Sequence, residues 1–138
     1  MTQLTAGIII IGNEILSGRT KDINSYFISK ELIKIGIKLF EIRVIPDESK
    51  AIIETVKNFH KKFTYVFTTG GIGPTHDDIT SENIAKAFNK KYRTDNRILK
   101  ILKDYYPKGK LNEGKKKMAK IPTGCELIFN PLTAAPGF

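Results

Sequence analysis

At 138 residues the chain is long enough to bury one core and too short for two, so its length predicts a single domain over residues 1–138. A composition of 41% hydrophobic and 27% charged residues is that of a globular protein and excludes a collagenous or low-complexity chain. The net charge of +9 admits an anionic partner, while an apolar run no longer than Ile8–Ile11 and a start without a basic region and apolar core predict neither a membrane span nor a leader, so the expected location is the cytoplasm.

The first predicted element is Ala6-Gly7-Ile8-Ile9-Ile10-Ile11-Gly12, a continuous apolar run that ends in glycine, as a strand buried on both faces of a parallel sheet does. A helix follows, with Asp22 or Asn24 able to cap it, an apolar stripe of Phe27, Ile28, Leu32 and Ile35, and Gly36 at its end. Ile37 to Ile45 alternates through Leu39, Ile42 and Val44 as a second strand, stopped by Pro46-Asp47. Ser49 starts a helix carrying Ile52, Val56 and Phe59 at i, i+4 and i+7, and Phe63 to Thr69 is β-branched and aromatic, which predicts a third strand. A helix with Ile84, Ala85 and Phe88 begins after Thr80. Further on, helices are expected over Asp95–Tyr106 and Glu113–Lys120, and a last strand over Glu126–Phe129. The order β-α-β-α-β-α predicts an α/β fold, a three-layer α/β/α sandwich with a mostly parallel central sheet, because right-handed crossovers place helices on the sheet faces.

The segment Thr68-Thr69-Gly70-Gly71-Ile72-Gly73-Pro74-Thr75-His76-Asp77-Asp78-Ile79-Thr80 joins the third strand to a helix through a glycine-rich, acid-ended turn. In open α/β sheets that edge is where ligands bind, since glycines let the backbone approach an anion and the following helix presents unpaired N–H groups. Asp77 and Asp78 would repel such an anion unless a divalent cation lay between them, and magnesium is the usual hard-oxygen choice. The glycines lack the third member of a dinucleotide fingerprint, and no glycine-lysine-serine or glycine-lysine-threonine exists for a P-loop. Asn13 and Glu14 leave the first strand at the same edge and are expected either to face that crevice or to form a capped turn. Asp22 and Asn24 are helix caps or ligand contacts, and Asp47 is a turn residue or a further carboxylate for the metal. His76 lies where histidine is commonly solvated and is not assigned a catalytic role. Cys125 has no cysteine partner and is expected as a small core residue. The lysines of the second half spread over several helical faces, which predicts a solvated surface or attraction of an anionic small molecule more than a nucleic-acid stripe.

Taken together, Gly12-Asn13-Glu14-Ile15-Leu16, Asp22 with Asn24, the Gly70–Thr80 segment, and Asn130-Pro131 followed by Ala135-Pro136-Gly137-Phe138 resemble the molybdopterin-binding domain family over nearly the whole chain. The Gly-Asn-Glu-Ile-Leu opening and the doubled aspartate are similar to the amino-terminal domain of the competence/damage-inducible (CinA) type. That resemblance implies a pocket at the strand ends for a nucleotide or pterin phosphate, assembly as a dimer or trimer, and metal-dependent cleavage of ADP-ribose. Carried over by position, it implies that Gly70, Gly71, Gly73, Thr75, Thr80 and Asn13 hold phosphate and that Pro136 and Gly137 close the pocket. Asp78 and Asp77 would be the catalytic acids, and Asp78, with Asp47 or Glu14, would hold magnesium. Molybdopterin itself is a further ligand candidate.

Three departures accompany the resemblance. Thr133-Ala134 stands where the family usually carries Gly-Thr, and Lys115-Lys116-Lys117-Met118-Ala119 stands where it usually carries Asn-Arg-Lys-Gln-Ala. The family also continues past Ala-Pro-Gly-Phe into a further strand and helix, which are expected to be missing here. The alternatives that follow are molybdopterin adenylyl transfer and a non-catalytic remnant that binds ligand or assembles.

Overall fold

The computed structural model describes residues 2–138. The chain forms two compact units, one ending at Gly71 and the other running Ile72–Phe138.

In the first unit the order is β1 (Thr5–Ile11), α1 (Asn13–Leu16), α2 (Asn24–Lys34), β2 (Lys38–Ile45), α3 (Ser49–Lys62) and β3 (Tyr65–Thr69). The three strands form a parallel sheet in the order β2-β1-β3, so the polyisoleucine strand is central, as its unbroken apolar run requires. Ile8 and Ile9 are wholly inaccessible to solvent, and each fully buried isoleucine contributes about 1.5–3 kcal/mol. Helix α3 covers β1 and β3 with the predicted Ile52, Val56 and Phe59, all buried. Gly7 has to be glycine, because a Cβ there would lie 2.5 Å from the Phe63 ring and 2.7 Å from the Phe59 ring, which pack edge-on at 5.2 Å. Helix α2 lies against β2 and departs from the predicted stripe. Leu32 is buried, but Phe27 and Ile35 remain exposed, so only a narrow face of the helix is covered. The Asn13-Glu14 turn is a single helical turn, α1.

The second unit contains α4 (Thr80–Ala87), β4 (Tyr92–Thr94), α5 (Asn96–Tyr105), α6 (Glu113–Lys117) and β5 (Lys120–Pro122). Its core gathers Ile98 and Leu102 of α5 with Ala119, Ile121 and Ala134, and Cys125 packs partly buried at its margin, as expected of a small core residue. The Asp95 carboxylate caps α5 by accepting from the Arg97 backbone N–H at 2.8 Å, and Asn112 caps α6 by accepting from the Lys115 N–H at 2.9 Å. The strand expected over Glu126–Phe129 is corrected: only Ile128 pairs, through one bridge to Gly137. The small antiparallel sheet is formed instead by β4 and β5, with Arg93 opposite Ile121, and Pro122 is its terminal residue rather than a simple helix stop. Among the described residues no helix is long and apolar enough to cross a membrane.

Candidate functional site

The ends of β1 and β3 are held together by a close backbone approach. Gly70 has φ +91°, and a Cβ on it would lie 2.0 Å from the Ile11 carbonyl oxygen, so both conformation and space exclude any other residue. Gly71 follows with φ +68°. At this edge a recess of about 250 Å3 is lined by Glu14, Thr20, Lys21, Asp22, Asn24, Thr69 and Gly70 over an apolar floor of Ile10, Ile11 and Ile15. It lies at the carboxyl ends of the strands, where open parallel sheets bind ligands, and its volume is at the small end for such sites.

Asn13 and Asp47 bind one another in this unit. The Asn13 backbone N–H donates to Asp47 Oδ2 at 2.8 Å, and the Asp47 N–H donates to Asn13 Oδ1 at 3.4 Å, so the turn after β2 caps the start of α1. Asp22 accepts from the backbone N–H groups of Asn24 and Ser25 at 3.0 and 3.1 Å and from the Ser25 hydroxyl, which makes it the cap of α2 while it also lines the recess. The Glu14 carboxylate folds over Gly12, whose Cβ would meet it at 2.7 Å.

In the second unit Gly73–Asp78 forms a tight acidic loop. A Cβ on Gly73 would lie 2.7 Å from Asp78 Oδ2, so the glycine makes room for the carboxylate to fold back over the chain. Asp78 Oδ2 accepts the Thr75 backbone N–H at 2.8 Å and lies 2.6 Å from the Thr75 hydroxyl, which is also 2.5 Å from Asp77 Oδ1. One hydroxyl carries one proton and satisfies one carboxylate at a time. Because Asp78 Oδ2 also accepts the Thr75 backbone N–H, the hydroxyl proton is available to Asp77, and the two Thr75 donors serve both carboxylates. The Thr75 hydroxyl bond holds the Asp77 carboxyl below its ordinary range, with the charges of His76 and Lys117 acting in the same direction. Among the described residues no three His, Cys, Asp or Glu side chains gather as a ligand set. Asp78 is half-buried, whereas His76 is exposed.

Three of the predicted site residues, Thr80, Pro136 and Gly137, are tied into the packing of the second unit. Thr80 opens α4 and is fully buried, with its hydroxyl unpartnered among the described residues. Pro136 is buried, and Gly137 exchanges both backbone hydrogen bonds with Ile128 at 2.8 and 2.9 Å. Asn130 organises the turn before them: its Oδ1 accepts from Leu132 and Thr133, and its Nδ2 donates to Thr133 Oγ1 at 2.7 Å.

The sequence noted Lys117 only as a departure from a motif, yet its ammonium donates to the Thr75 carbonyl at 2.8 Å. Beside it a Cβ on Gly114 would lie 2.9 Å from the Pro74 carbonyl, so α6 packs directly on the acidic loop. The residues are 42 positions apart, and no local spacing signals such a contact.

Residues 7–138 match a family model described as a probable molybdopterin binding domain. A CinA-like protein from Flavobacterium psychrophilum is 38% identical, with 97% of this chain and 33% of that protein covered. The crystal structure of the protein CinA with unknown function from Thermoplasma acidophilum matches with a TM-score of 0.91 at 36% identity, over 98% of this chain and 80% of that one. The tungsten cofactor synthesizing protein MoaB from Pyrococcus furiosus matches with a TM-score of 0.58 at 24% identity, over 77% of this chain and 64% of that one, a likeness of fold alone. The chain spans 33% to 56% of the length of the first curated relatives it matches.

Proposed function

The chain belongs to the molybdopterin-binding domain family, of the CinA-like kind, and on that premise we propose that it binds a nucleotide or pterin phosphate with magnesium and hydrolyses a nucleotide diphosphate such as ADP-ribose. The observation that carries this is the convergence of Asp77 and Asp78 on the single Thr75 hydroxyl. Two carboxylates in that arrangement suit a cation that takes one or two protein oxygens and completes its shell from phosphate and water, the normal habit of magnesium. Magnesium, when bound, supplies charge neutralisation at the phosphate and activation of water. Asp78 would hold the cation, Asp77 would add its carboxylate, and Thr75 would keep both oriented through its hydroxyl and backbone N–H. In the reaction a water oxygen bonds to phosphorus, the bond from that phosphorus to the bridging oxygen breaks with its electron pair passing to that oxygen, and the water's protons go to the product phosphates and solvent as AMP and ribose 5-phosphate leave.

Calorimetric titration of ADP-ribose with and without magnesium, followed by analysis for AMP, tests this. Magnesium-dependent binding and AMP release, the latter reduced about a hundredfold or more in Asp78→Asn, are the expected outcomes. Binding without AMP would leave the chain as a ligand-binding member of the family, and AMP release indifferent to Asp78→Asn would remove the loop from the chemistry. Self-association as a dimer or trimer belongs to the same proposal. The exposed Tyr26, Phe27 and Ile33 of α2 are apolar surface available to it, and sedimentation at monomer mass across the working concentration would exclude it.

A further inference from the structure

The second unit contains a basic recess that the acidic loop does not use. Helix α6 and β5 bring Lys116, Lys117 and Lys120 around a hollow of about 180 Å3, whose other walls are Thr94 at the end of β4, Leu99 of α5 and Glu113. Three lysines therefore line it with one carboxylate-bearing residue. Glu113 pairs with Lys116 at 2.8 Å, but its side chain is 89% exposed, so that pair is weak and easily opened. The Lys120 ammonium has no ion pair or hydrogen bond among the described residues. Gathering like charges around a concave surface costs electrostatic energy that a bound anion relieves, and lysine is a flexible point-charge partner for phosphate oxygens. Thr94 adds a hydroxyl, and Leu99 forms an apolar wall.

We propose that this recess, formed by Lys116, Lys117, Lys120 and Thr94, binds a compact phosphate-bearing anion and that Lys117 couples its occupancy to the Gly73–Asp78 loop. The volume suits inorganic phosphate, pyrophosphate or the terminal phosphate of a small molecule. The coupling follows from the donor count of an ammonium: with three N–H groups, Lys117 keeps its bond to the Thr75 carbonyl while offering another to the anion. A bound anion thus holds Lys117 in the position that tethers Thr75, the residue that orients both aspartates. This second site is distinct from the proposed magnesium site and does not depend on hydrolysis there.

The test is a titration of the full chain with inorganic pyrophosphate, without magnesium, followed by 1H–15N spectra of wild type, Lys120→Ala and Lys50→Ala. In wild type the Thr94 and Lys120 amides are expected to shift saturably, with the Thr75 amide following the same curve. Lys120→Ala, an exposed change whose spectrum itself reports folding, is expected to weaken binding about tenfold, whereas Lys50→Ala, an exposed lysine of the first unit, leaves it unchanged. Absence of saturable shifts in wild type, equal affinity in Lys120→Ala, or shifts confined to the acidic loop would each overturn the assignment. Shifts at Thr94 and Lys120 that leave Thr75 unmoved would overturn the coupling. Because the readout uses neither magnesium nor turnover, its failure is separable from failure of the hydrolase proposal.

Discussion

Gly70→Ala places a methyl group where none fits, and the cost divides into two parts that a control separates. The new Cβ starts 2.0 Å from the Ile11 carbonyl oxygen, and since real Cβ atoms do not approach closer than 3.0 Å, the β1–β3 junction has to open by about 1 Å. Holding a non-glycine residue at φ +91° costs about 1–2 kcal/mol, and displacing packed backbone adds about 1–3 kcal/mol, for an expected loss near 2–5 kcal/mol. Gly18→Ala is the matched control. Gly18 has φ +75° but nothing within 4 Å of its Cβ, so it carries only the conformational part. Urea denaturation followed by far-UV circular dichroism should therefore show Gly70→Ala less stable than Gly18→Ala by about 1–3 kcal/mol, with an unchanged m-value. Equal losses in the two variants would show that the Ile11 carbonyl yields freely, and the steric account of Gly70 would be wrong.

Three further outcomes are expected. Leu102→Ala removes a fully buried side chain from the second unit's core and should cost about 2–5 kcal/mol in the denaturation of that unit, while an exposed neighbour, Lys103→Ala, should cost little. The Arg97 guanidinium holds the Asp95 carboxyl below its ordinary value of 3.8, so its stabilising charge is fully present above pH 3.8 and is lost as pH falls through the lower folded value; the stability gap between wild type and Asp95→Asn, which keeps a capping residue, should shrink below pH 3.8 and stay constant from pH 5 to 7. Thr75→Val should return the Asp77 titration midpoint towards 3.8 in a carbon-detected carboxyl titration, since its hydroxyl is the largest cause of the lowered value; an unmoved midpoint would contradict the geometry of the loop.

The parts of the fold legible in the sequence are those fixed by local periodicity. Ile8–Ile11 announces a central parallel strand, Ile52, Val56 and Phe59 announce the buried face of α3, and the three-strand parallel sheet follows from their alternation. The small sheet was not legible. Tyr92–Thr94 and Lys120–Pro122 are three residues each, too short for period-2 alternation to register, and their partners are set by tertiary contact. Glu126–Phe129 carries strand propensity without a ladder to join, which is why composition there misleads. In the candidate site, Gly73, Thr75, Asp77 and Asp78 lie within six positions and could be grouped by spacing. The burial of Thr80, the pairing of Gly137 and the reach of Lys117 depend on the folded chain and have no counterpart in a linear pattern.

The place of β1 between two parallel partners governs the order in which the first unit can assemble. Neither neighbour is reached by a hairpin: Thr5 pairs with Lys38, and Ala6 pairs with Tyr65, so each ladder closes only after a long stretch of chain has been made. The strand synthesised first is thus completed last, and its second hydrogen-bonding edge stays unpaired until β3 arrives. Loop closure of that kind slows folding and lengthens the interval in which an apolar, uncharged strand can pair with a copy of itself on another nascent chain. A short, strongly hydrophobic strand at the centre of the sheet makes the finished unit robust and the unfinished one dependent on speed or on a chaperone.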